Sequence, residues 1–332
     1  MTGAPFRNAR VLVAGGAGFI GSHVVDALVA AGARVTVLDD FSSGRRENLA
    51  GVEGAIRVVD GDLCDPAIRA VALPGTDVLM HLATRCLRIS LSNPEDVFRV
   101  NCDGTHQLYL DAVRHGVGRI VYVSSSEVYG TAVSAPMSED HPLDPTTVYG
   151  ATKLAGEIYA RAIGRSAGID TVVIRPFNTY GPRAHFEGVY GEVIPRFTVR
   201  VLNGRAPLIF GDGLQTRDFT YVSDTVHGIL LAAAARPATG EPVNIARGEE
   251  VSIRTLALLI GRALGSRLEP EYLPPRPSDV HRHLAGVERA EKTLGFRAAI
   301  GIEEGLRRYV EWFRAAYPDP AACEAQAEAK NW

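Results

Sequence analysis

VLVAGGAGFIGSHVVDALVAAGARVTVLDD, residues 11–40, reads in order as a strand, a glycine-rich turn, a helix and a second strand that ends on acidic residues. Gly15, Gly18 and Gly21 recur at a spacing of three, so the backbone can turn tightly and approach a ligand without side chains in between. The helix presents free N–H groups and the positive end of its dipole, which suit a phosphate. Asp39, at the end of the second strand, can bond both hydroxyls of an adenosine ribose. The stretch therefore predicts a dinucleotide-binding βαβ unit.

The choice between the two common nicotinamide dinucleotides depends on the charge beside that ribose. Asp39 would repel a 2′-phosphate, which favours NAD over NADP. Arg45 and Arg46 follow closely in the sequence and keep NADP open as an alternative.

The composition sets limits on partners and location. A chain of 332 residues is long enough for one large domain or two lobes with an ample core. A formal net charge of −3 gives no footprint for nucleic acid, and no apolar run is long enough to span a membrane. The first ten residues lack the apolar core of a signal peptide, so we expect a cytoplasmic protein. Four cysteines without metal-like spacing favour reduced thiols and no metal site.

Apolar strands alternate with helical segments up to about residue 175, the pattern of a parallel sheet covered on both faces. After the first two strands, we expect strands at 56–59, 78–82, 119–123 and 171–174. We therefore predict an α/β fold, a doubly wound parallel Rossmann sheet with a smaller mixed α/β substrate-binding lobe. Residues 1–178 are assigned to the NAD-binding domain, with a returning segment near 225–247, and residues 179–332 mainly to the substrate domain.

The second half of the chain has a weaker pattern. Residues 178–197 read as a loop followed by a short helix, and the tail after Pro318 reads as frayed. We expect short strands at 208–210 and 243–245, with Arg217 in the loop after the first, and helices over 223–235, 253–264 and 302–317.

Ligands of parallel sheets bind beyond the carboxyl ends of the strands, so residues just after each strand are candidates. Asp62 follows the third strand, where it would accept a hydrogen bond from an adenine amino group or serve as a turn acid. Leu82 and Ala83 close the fourth strand, where residues without bulky polar groups would leave room for the phosphates and ribose of the cofactor. His81 lies within an apolar strand and is expected to be a packed structural histidine. Asn101 is expected to open a helix and to bond backbone groups at strand ends.

Two polar clusters follow the fifth strand. Three serines and a carboxylate, residues 124–127, come directly after it. Tyr149 and Lys153 are four residues apart at the start of a predicted helix, so they share one face. A neighbouring ammonium and a cationic nicotinamide both favour phenolate over phenol, and such a tyrosine can act as a general base near neutral pH. The constellation predicts an acid–base site beside the dinucleotide.

These motifs resemble the extended short-chain dehydrogenase/reductase family, and within it the NAD-dependent nucleotide-sugar epimerases and dehydratases of the UDP-glucose 4-epimerase type. The resemblance extends over nearly the whole chain. It rests on GGAGFIG at 15–21, LDD at 38–40, GDLCD at 61–65, HLA at 81–83, SSSEVYG at 124–130, YGATK at 149–153, RPFNTYGPR at 175–183, GDGLQTRDFTYVSD at 211–224 and RPSD at 276–279.

The resemblance implies roles for individual residues. Ser125 is the catalytic hydroxyl, Tyr149 exchanges the proton of the sugar 4-hydroxyl, and Lys153 also holds the nicotinamide ribose. Glu127 is a further catalytic candidate, with a structural acid as the alternative. The residues assigned to NAD are Gly15, Gly18, Phe19, Ile20, Asp39, Asp40, Ser43, Gly44, Asp62, Leu63, Leu82, Ala83, Asn101, Tyr149, Lys153 and Pro176. Those assigned to the nucleotide sugar are Ser126, Asn178, Arg183, Arg217 and Arg276.

The substrate residues implied by the resemblance include two arginines for the two phosphates. Arg217 and Arg276 suit this task because the guanidinium fork bonds phosphate bidentately, although an ordinary surface ion pair is the alternative for each. Arg183 and His185 share a loop and are candidates to meet the sugar.

The reaction is narrowed by the residues that follow Ser125. Members of the family oxidise sugar C4 and then invert it, eliminate water or lose a C5 carboxylate. Well-known 4,6-dehydratases carry Asp-Glu at the positions of Ser126-Glu127, and the missing Asp argues against ordinary dehydration. Ser-Glu also resembles UDP-glucuronate decarboxylases, but Pro145-Thr-Thr-Val before the catalytic tyrosine is epimerase-like. The Glu127 carboxylate could still act as the base that removes the C5 proton in an elimination.

We therefore expect a nucleotide-sugar 4-epimerase that acts on a UDP-sugar rather than a dTDP-sugar. A dehydratase and then a decarboxylase are the alternatives, and a non-catalytic NAD-binding protein of the same fold is the alternative from a different class. The resemblance also implies a homodimer formed through helices near 95–115 and 150–166, where the apolar periodicity fits an interface or a buried face equally.

Overall fold

The computed structural model describes residues 4–236, 239–276 and 280–327, so residues 277–279 of the RPSD motif lie outside the described residues. The strands are β1 (Arg10–Ala14), β2 (Arg34–Asp39), β3 (Ile56–Asp60), β4 (Val78–His81), β5 (Arg119–Val123), β6 (Asp170–Pro176), β7 (Asn178–Tyr180), β8 (Leu208–Phe210), β9 (Thr216–Tyr221), β10 (Thr239–Ile245), β11 (Glu250–Ser252) and β12 (Glu271–Leu273). The α-helices are α1 (Phe19–Ala30), α2 (Pro66–Ala72), α3 (Leu87–Ser92), α4 (Pro94–Phe98), α5 (Thr105–Arg114), α6 (Val148–Ala167), α7 (Val193–Leu202), α8 (Val222–Ala234), α9 (Ile253–Leu264), α10 (Glu288–Leu294), α11 (Ile302–Ala316) and α12 (Pro320–Gln326).

Seven parallel strands form the large sheet in the order β10-β6-β5-β4-β1-β2-β3. β1 lies between β2 and β4, so Ala14 is level with Leu38 on one side and with His81 on the other. The strand order reverses between β1 and β4, which opens a crevice at their carboxyl ends. This is the doubly wound sheet expected from the sequence, and the turn after β1 lies at its switch point.

Both faces of the large sheet are buried, because successive side chains of a strand point to opposite faces. Val11 and Val13 pack with residues of α1 and α8, whereas Leu12 and Ala14 pack with residues of α5 and α6. All four are at most 1% exposed. Double burial accounts for the continuous apolar runs that predicted these strands.

The chain leaves the large sheet after β6 and later returns to it. α8 packs in the same cluster as α1, and β10 pairs in parallel with β6 as an outermost strand. Between these two passages the chain builds β7, α7, β8 and β9 of the smaller lobe, and the rest of that lobe follows β10. The domain boundary at residue 178 stays a prediction.

The smaller lobe is mixed α/β, as expected. β7 pairs with β9 in parallel and β11 pairs with β9 antiparallel, while β12 and β8 form a separate parallel pair. Its core includes Phe197 of α7, Leu256 of α9 and Tyr309 of α11. Helices therefore cover these short strands and fix their position relative to the large sheet.

Three local expectations are wrong. Arg217 lies in β9 and not in a loop, and the predicted loop at residue 178 begins with β7. The sequence did not predict these strands because they are short and contain polar residues that are typical of loops. They form because β7 and β9 pair with each other. The tail contains α12, which Asp319 caps by accepting from two backbone N–H groups, with Cys323 buried.

Asn101 does not open a helix but lies inside a continuous helical stretch. α4, a π-helical segment over Arg99–Gly104 and α5 follow one another without a break. The Asn101 side chain accepts from the Arg85 backbone N–H at 2.8 Å and donates to the Arg85 carbonyl at 3.1 Å and to Thr152 Oγ1 at 3.1 Å. The expected side-chain-to-backbone bonding is therefore present, and it fixes the loop after β4. Among the described residues, no helix combines the length and apolar character that a bilayer crossing requires.

Candidate active site

A cleft of about 520 Å³ follows the carboxyl ends of the large sheet and continues into the smaller lobe. This volume is typical of cofactor and small-molecule sites. Most of the residues predicted from the sequence line it. They are Gly15, Gly18, Phe19, Ile20, Asp39, Asp40, Ser43, Asp62, Leu63, Leu82, Ala83, Ser125, Ser126, Glu127, Tyr149, Lys153, Pro176, Asn178, Arg217 and Arg276.

The cofactor end of the cleft is built by the turn after β1. Gly15 has φ +81°, and a side-chain carbon there would lie 2.5 Å from the Ala83 backbone nitrogen, so only glycine allows this turn to approach the end of β4. Gly18 precedes the first residue of α1, and no side chain caps the helix. The N–H groups of the first turn therefore face the cleft without a capping side chain, as a phosphate site requires.

Asp39 is held rigidly at the end of β2. Its carboxylate accepts from the Ala17 N–H at 2.8 Å and from the Phe41 N–H at 2.9 Å, and it is 8% exposed. Burial raises the pKa of Asp39, and the two backbone N–H groups oppose that shift. Asp39 therefore lines the cleft in a fixed position at the end of β2.

Neither of the arginines that kept NADP open lines the cleft. Arg45 pairs with Glu187 and donates to the Tyr317 hydroxyl at 3.1 Å. Arg46 pairs with Asp60, and its guanidinium lies 4.1 Å from the centre of the Phe41 ring. The geometry therefore favours NAD.

Four of the assigned residues have positions or partners in the structure that the sequence did not indicate or left open. Gly44, Asn101 and Arg183 do not line the cleft. Arg183 instead pairs with Asp26 of α1 at 2.8 Å, and its backbone has φ +68°. Asp62 lines the cleft, but its carboxylate accepts from the Cys64 N–H at 2.9 Å and from Arg99 at 2.7 Å, so it serves as a turn acid in this structure.

Tyr149, Ser125 and Lys153 meet near the end of β5. Tyr149 and Lys153 both belong to α6, whose first residues are capped by the Thr147 hydroxyl. The Ser125 hydroxyl hydrogen-bonds to the Tyr149 phenol, and it also accepts from the Glu127 N–H at 3.2 Å. The Lys153 ammonium donates to the Val123 carbonyl at 2.7 Å and is 2% exposed. The three groups predicted from the motif are therefore brought together.

Burial dominates the electrostatics of this group. It lowers the pKa of Lys153 to about 7, and the Glu157 carboxylate acts in the opposite direction. It raises the pKa of Tyr149, while the hydrogen bond from Ser125 acts to lower it. The protein groups alone therefore do not acidify the Tyr149 phenol, contrary to the expectation drawn from Lys153. A cationic nicotinamide beside the phenol would act to lower its pKa.

A close contact between α6 and β5 sets the position of these groups. A side-chain carbon at Gly156 would lie 2.3 Å from the Tyr122 hydroxyl oxygen. Tyr122 is buried, and its hydroxyl donates to the Lys153 carbonyl at 3.2 Å. Glycine at position 156 therefore lets the helix pack directly against β5, the strand that precedes Ser125.

The remaining candidate residues are buried or half-buried near the cleft or in the sheet. Ser126 is buried next to Ser125, and Glu127 is half-buried in the cleft wall. Asn178, in β7, has a buried Oδ1 that accepts no hydrogen bond within the described ranges. His81 is fully buried and bonds Thr105 Oγ1 at 2.8 Å, and burial lowers its pKa to about 3, which agrees with a structural role.

Comparison with known proteins identifies a family with the same combination of dinucleotide and acid–base motifs. A family model described as the NAD-dependent epimerase/dehydratase family matches residues 11–246. A UDP-glucose 4-epimerase of Mycolicibacterium smegmatis is 39% identical over 311 residues, which cover 92% of this chain and 98% of that protein. A dTDP-glucose 4,6-dehydratase of Streptomyces griseus is 36% identical over 313 residues, with 92% and 94% covered. The chain belongs to the NAD-dependent epimerase/dehydratase family.

A solved relative carries the cofactor itself. The UDP-glucose 4-epimerase of Thermus thermophilus, in complex with NAD, matches with a TM-score of 0.85 at 33% identity, covering 92% of this chain and 99% of that one. This epimerase/dehydratase is therefore an enzyme with NAD as its cofactor. The residues of this chain fit NAD. One end of the cleft is lined by the start of α1, which no side chain caps, by the close glycine turn and by Asp39, which backbone N–H groups anchor.

The substrate end of this epimerase/dehydratase holds residues that sequence reasoning missed. Arg88, Arg196, Arg200 and Glu192 also line the cleft. Arg85, in the loop after β4, also lines the cleft, but it pairs with Asp40 beside the cofactor end and with Asp96, at 2.9 Å each. The signals that could have pointed to them are Arg85 and Arg88, which lie shortly after HLA, and Arg196 and Arg200, which lie four residues apart on α7.

Proposed function

We propose that the protein is a nucleotide-sugar 4-epimerase that acts on a UDP-sugar through transient oxidation at C4. The observation that carries the proposal is the hydrogen bond between Ser125 and Tyr149 in a cleft that has a dinucleotide site on one side and arginines on the other. The two epimerase relatives support the reaction, and the absence of an Asp at position 126 argues against ordinary 4,6-dehydration.

The residues of the chain divide the work as follows. Bound NAD supplies a hydride acceptor and later a hydride donor at C4. Tyr149 takes the proton of the sugar 4-hydroxyl. Ser125 is hydrogen-bonded to the Tyr149 phenol and assists this proton transfer. Lys153 contributes positive charge from one turn away on α6 and holds the nicotinamide ribose. The same phenol returns the proton once the sugar has presented its other face.

The diphosphate is assigned to Arg217 and Arg276. Arg217 is braced by donating from Nη1 to the carbonyls of Thr216 and Val280, at 2.9 and 2.7 Å. The guanidinium of Arg276 lies 4.7 Å from the centre of the Phe210 ring. Asn178 brings its Oδ1 to a ligand hydroxyl. Fixed guanidinium groups bind phosphate with little loss of side-chain freedom.

A dehydratase is the second candidate, because Glu127 lies in the cleft wall where it could remove a C5 proton. A decarboxylase is the third. A panel of UDP- and dTDP-sugars, with products followed by mass spectrometry and NMR, separates them. Unchanged mass with inverted C4 supports the epimerase, loss of water the dehydratase, and loss of carbon dioxide the decarboxylase. No C4 product from any sugar would overturn the proposal.

The protein is further proposed to be a cytoplasmic homodimer. Phe98 of α4 is 59% exposed and Ile158 of α6 is 54% exposed, although both are large apolar residues. The two helices pack against each other. A second copy of the chain that covers this face would remove both side chains from water.

A further inference from the structure

An ion pair joins the loops that follow β2 and β4. Arg85 Nη2 donates to Asp40 Oδ2 at 2.9 Å, and Arg85 Nη1 donates to the Ser42 hydroxyl. Asp40 and Ser42 lie in the loop after β2, whereas Arg85 lies in the loop after β4. All three residues line the cleft. The pair is therefore a contact between two separate segments of the cleft wall.

This contact spans the position of a third strand. β1 lies between β2 and β4 in the sheet. Neighbouring strands are about 4.8 Å apart, so the ends of β2 and β4 are separated by about 10 Å. The glycine turn at residues 15–18 leaves β1 in that gap and leads into α1. A side-chain bridge from Asp40 to Arg85 therefore spans the crevice beyond the end of β1.

A dinucleotide in this cleft has to follow the same edge of the sheet. Asp39 ends β2, whereas Tyr149 lies near the end of β5, which neighbours β4 on the side away from β1. An NAD molecule with its adenosine ribose at Asp39 and its nicotinamide beside Tyr149 would extend from β2 past β1 and β4 to β5. The bridge between Asp40 and Arg85 lies across the first part of that path.

Both ends of the bridge are anchored. Arg85 Nε donates to Asp96 Oδ2 at 2.9 Å, and the Arg85 side chain is only 14% exposed. Asn101 fixes the Arg85 backbone by accepting from its N–H at 2.8 Å and donating to its carbonyl at 3.1 Å. Asp40 accepts from the Ser42 N–H at 3.0 Å. Opening this bridge should therefore cost more free energy than breaking an ordinary exposed ion pair.

We propose that the bridge between Asp40 and Arg85 is a gate that has to open before the cofactor can enter or leave. A gate that closes with and without nucleotide slows both steps by the same factor and leaves the equilibrium affinity unchanged. Slow exchange suits a cycle in which the hydride is returned, because the same NAD molecule serves the next turnover. The inference goes beyond the proposed C4 reaction and applies equally to the dehydratase and decarboxylase alternatives.

The test is the kinetics of NADH exchange in Arg85→Gln, measured without sugar. Release is followed by fluorescence after excess NAD is added to the NADH-loaded holoenzyme, and binding by stopped-flow mixing of NADH with nucleotide-free protein. We expect both rate constants to rise about tenfold or more, because hydrogen bonds to a charged group are lost. The dissociation constant should change little.

The two rate constants distinguish the gate from other roles of Arg85. Faster release with unchanged binding would make Arg85 a direct ligand of the nucleotide. Faster binding with unchanged release would mean that the bridge only obstructs the empty site. Either result, or unchanged rates, would overturn the inference. Because no sugar is present, none of these outcomes bears on the C4 proposal.

Arg46→Gln is the matched control. Arg46 also follows β2, but it pairs with Asp60 at the end of β3, which is the direct neighbour of β2. This second pair therefore crosses no intervening strand, and Arg46 does not line the cleft. The control removes the same charge and should leave both rate constants unchanged. A rise equal to that of Arg85→Gln would attribute the effect to charge alone and refute the gate.

Asp40→Asn opens the bridge from its other end. It should raise both rate constants by a similar factor, and the double variant with Arg85→Gln should exchange no faster, because both substitutions break one interaction. Additive effects would contradict this coupling. Salt gives a measurement on the unaltered protein: about 1 M salt should speed exchange more in the wild type than in Arg85→Gln. An equal response of the two proteins would count against the bridge.

Discussion

The two ends of the cleft differ in whether backbone or side-chain groups form them. The cofactor end consists of backbone turns at the ends of parallel strands, with Gly15 pressed against Ala83 and Asp39 anchored by two N–H groups. The substrate end consists of arginine side chains that reach in from α3, α7, β9 and the stretch after β12. The first is determined by the sheet, while the second depends on side chains that can change without altering the fold. We therefore expect cofactor binding to depend on the first end and the choice of substrate on the second.

The largest effect is expected at the junction of the two ends. Tyr149→Phe removes the phenolic oxygen that exchanges the substrate proton, and kcat should fall about 10²–10⁴-fold, the usual contribution of a general base. NAD content of the purified protein, measured by absorbance after denaturation, should be unchanged. Turnover equal to wild type would show that Tyr149 is not the base.

A pair of substitutions separates the two ends. Asp39→Ala should weaken NAD binding about ten- to a hundredfold, because charge-assisted bonds to the ribose hydroxyls are lost. Its binding of UDP should be nearly unchanged. Calorimetry with each nucleotide measures both effects.

The reciprocal substitution is Arg217→Gln. It should raise KM for the nucleotide sugar about tenfold or more through loss of a phosphate contact, while NAD binding is preserved. A variant at either end that weakened both ligands equally would contradict the division between the ends. Thermal unfolding of each variant controls for loss of structure.

A smaller effect is expected from Lys153, whose pKa burial lowers to about 7. In the unfolded chain its pKa is about 10.4, so between these values the unfolded state binds one proton more than the folded state. The stability of the NAD-free protein should therefore rise with pH in this window, by up to about 1.4 kcal/mol per pH unit, and level off below about pH 7. Urea unfolding of wild type and Lys153→Met should diverge across the window, and parallel curves would contradict the lowered pKa.

The smallest effect on chemistry is expected at the exposed apolar face. Phe98→Ser should shift the protein from two chains to one in analytical ultracentrifugation, because the interface loses a large apolar side chain. Turnover per active site should change little, since Phe98 does not line the cleft. A wild type that sediments as a single chain would remove the proposed dimer.

What the sequence could predict follows the same division. The turn after β1 and the acid at the end of β2 were predicted from their spacing within one βαβ unit. Tyr149 and Lys153 were predicted from their four-residue spacing on a helix, and Ser125 was implied by the family resemblance. Helix α9 was predicted with its observed bounds, Ile253–Leu264, because its apolar period is strong. These features depend on local pattern.

The features that were missed depend on contacts between distant segments. β7 and β9 are short and polar, and they form because they pair with each other. Arg183 was assigned to the sugar from its loop, but the structure turns it to Asp26. Arg88 drew no attention in the sequence, since its place in the cleft depends on carbonyls about a hundred residues away.

The glycine at position 156 has a consequence for how this enzyme can change. With 2.3 Å between an added methyl carbon and the Tyr122 oxygen, alanine would force the catalytic helix away from its strand. The phenol would then move relative to the serine hydroxyl, although neither ligand site contains the altered residue. Substitution of the cleft arginines can thus change substrate preference, whereas one added carbon at position 156, which does not line the cleft, is expected to lower every activity that depends on Tyr149.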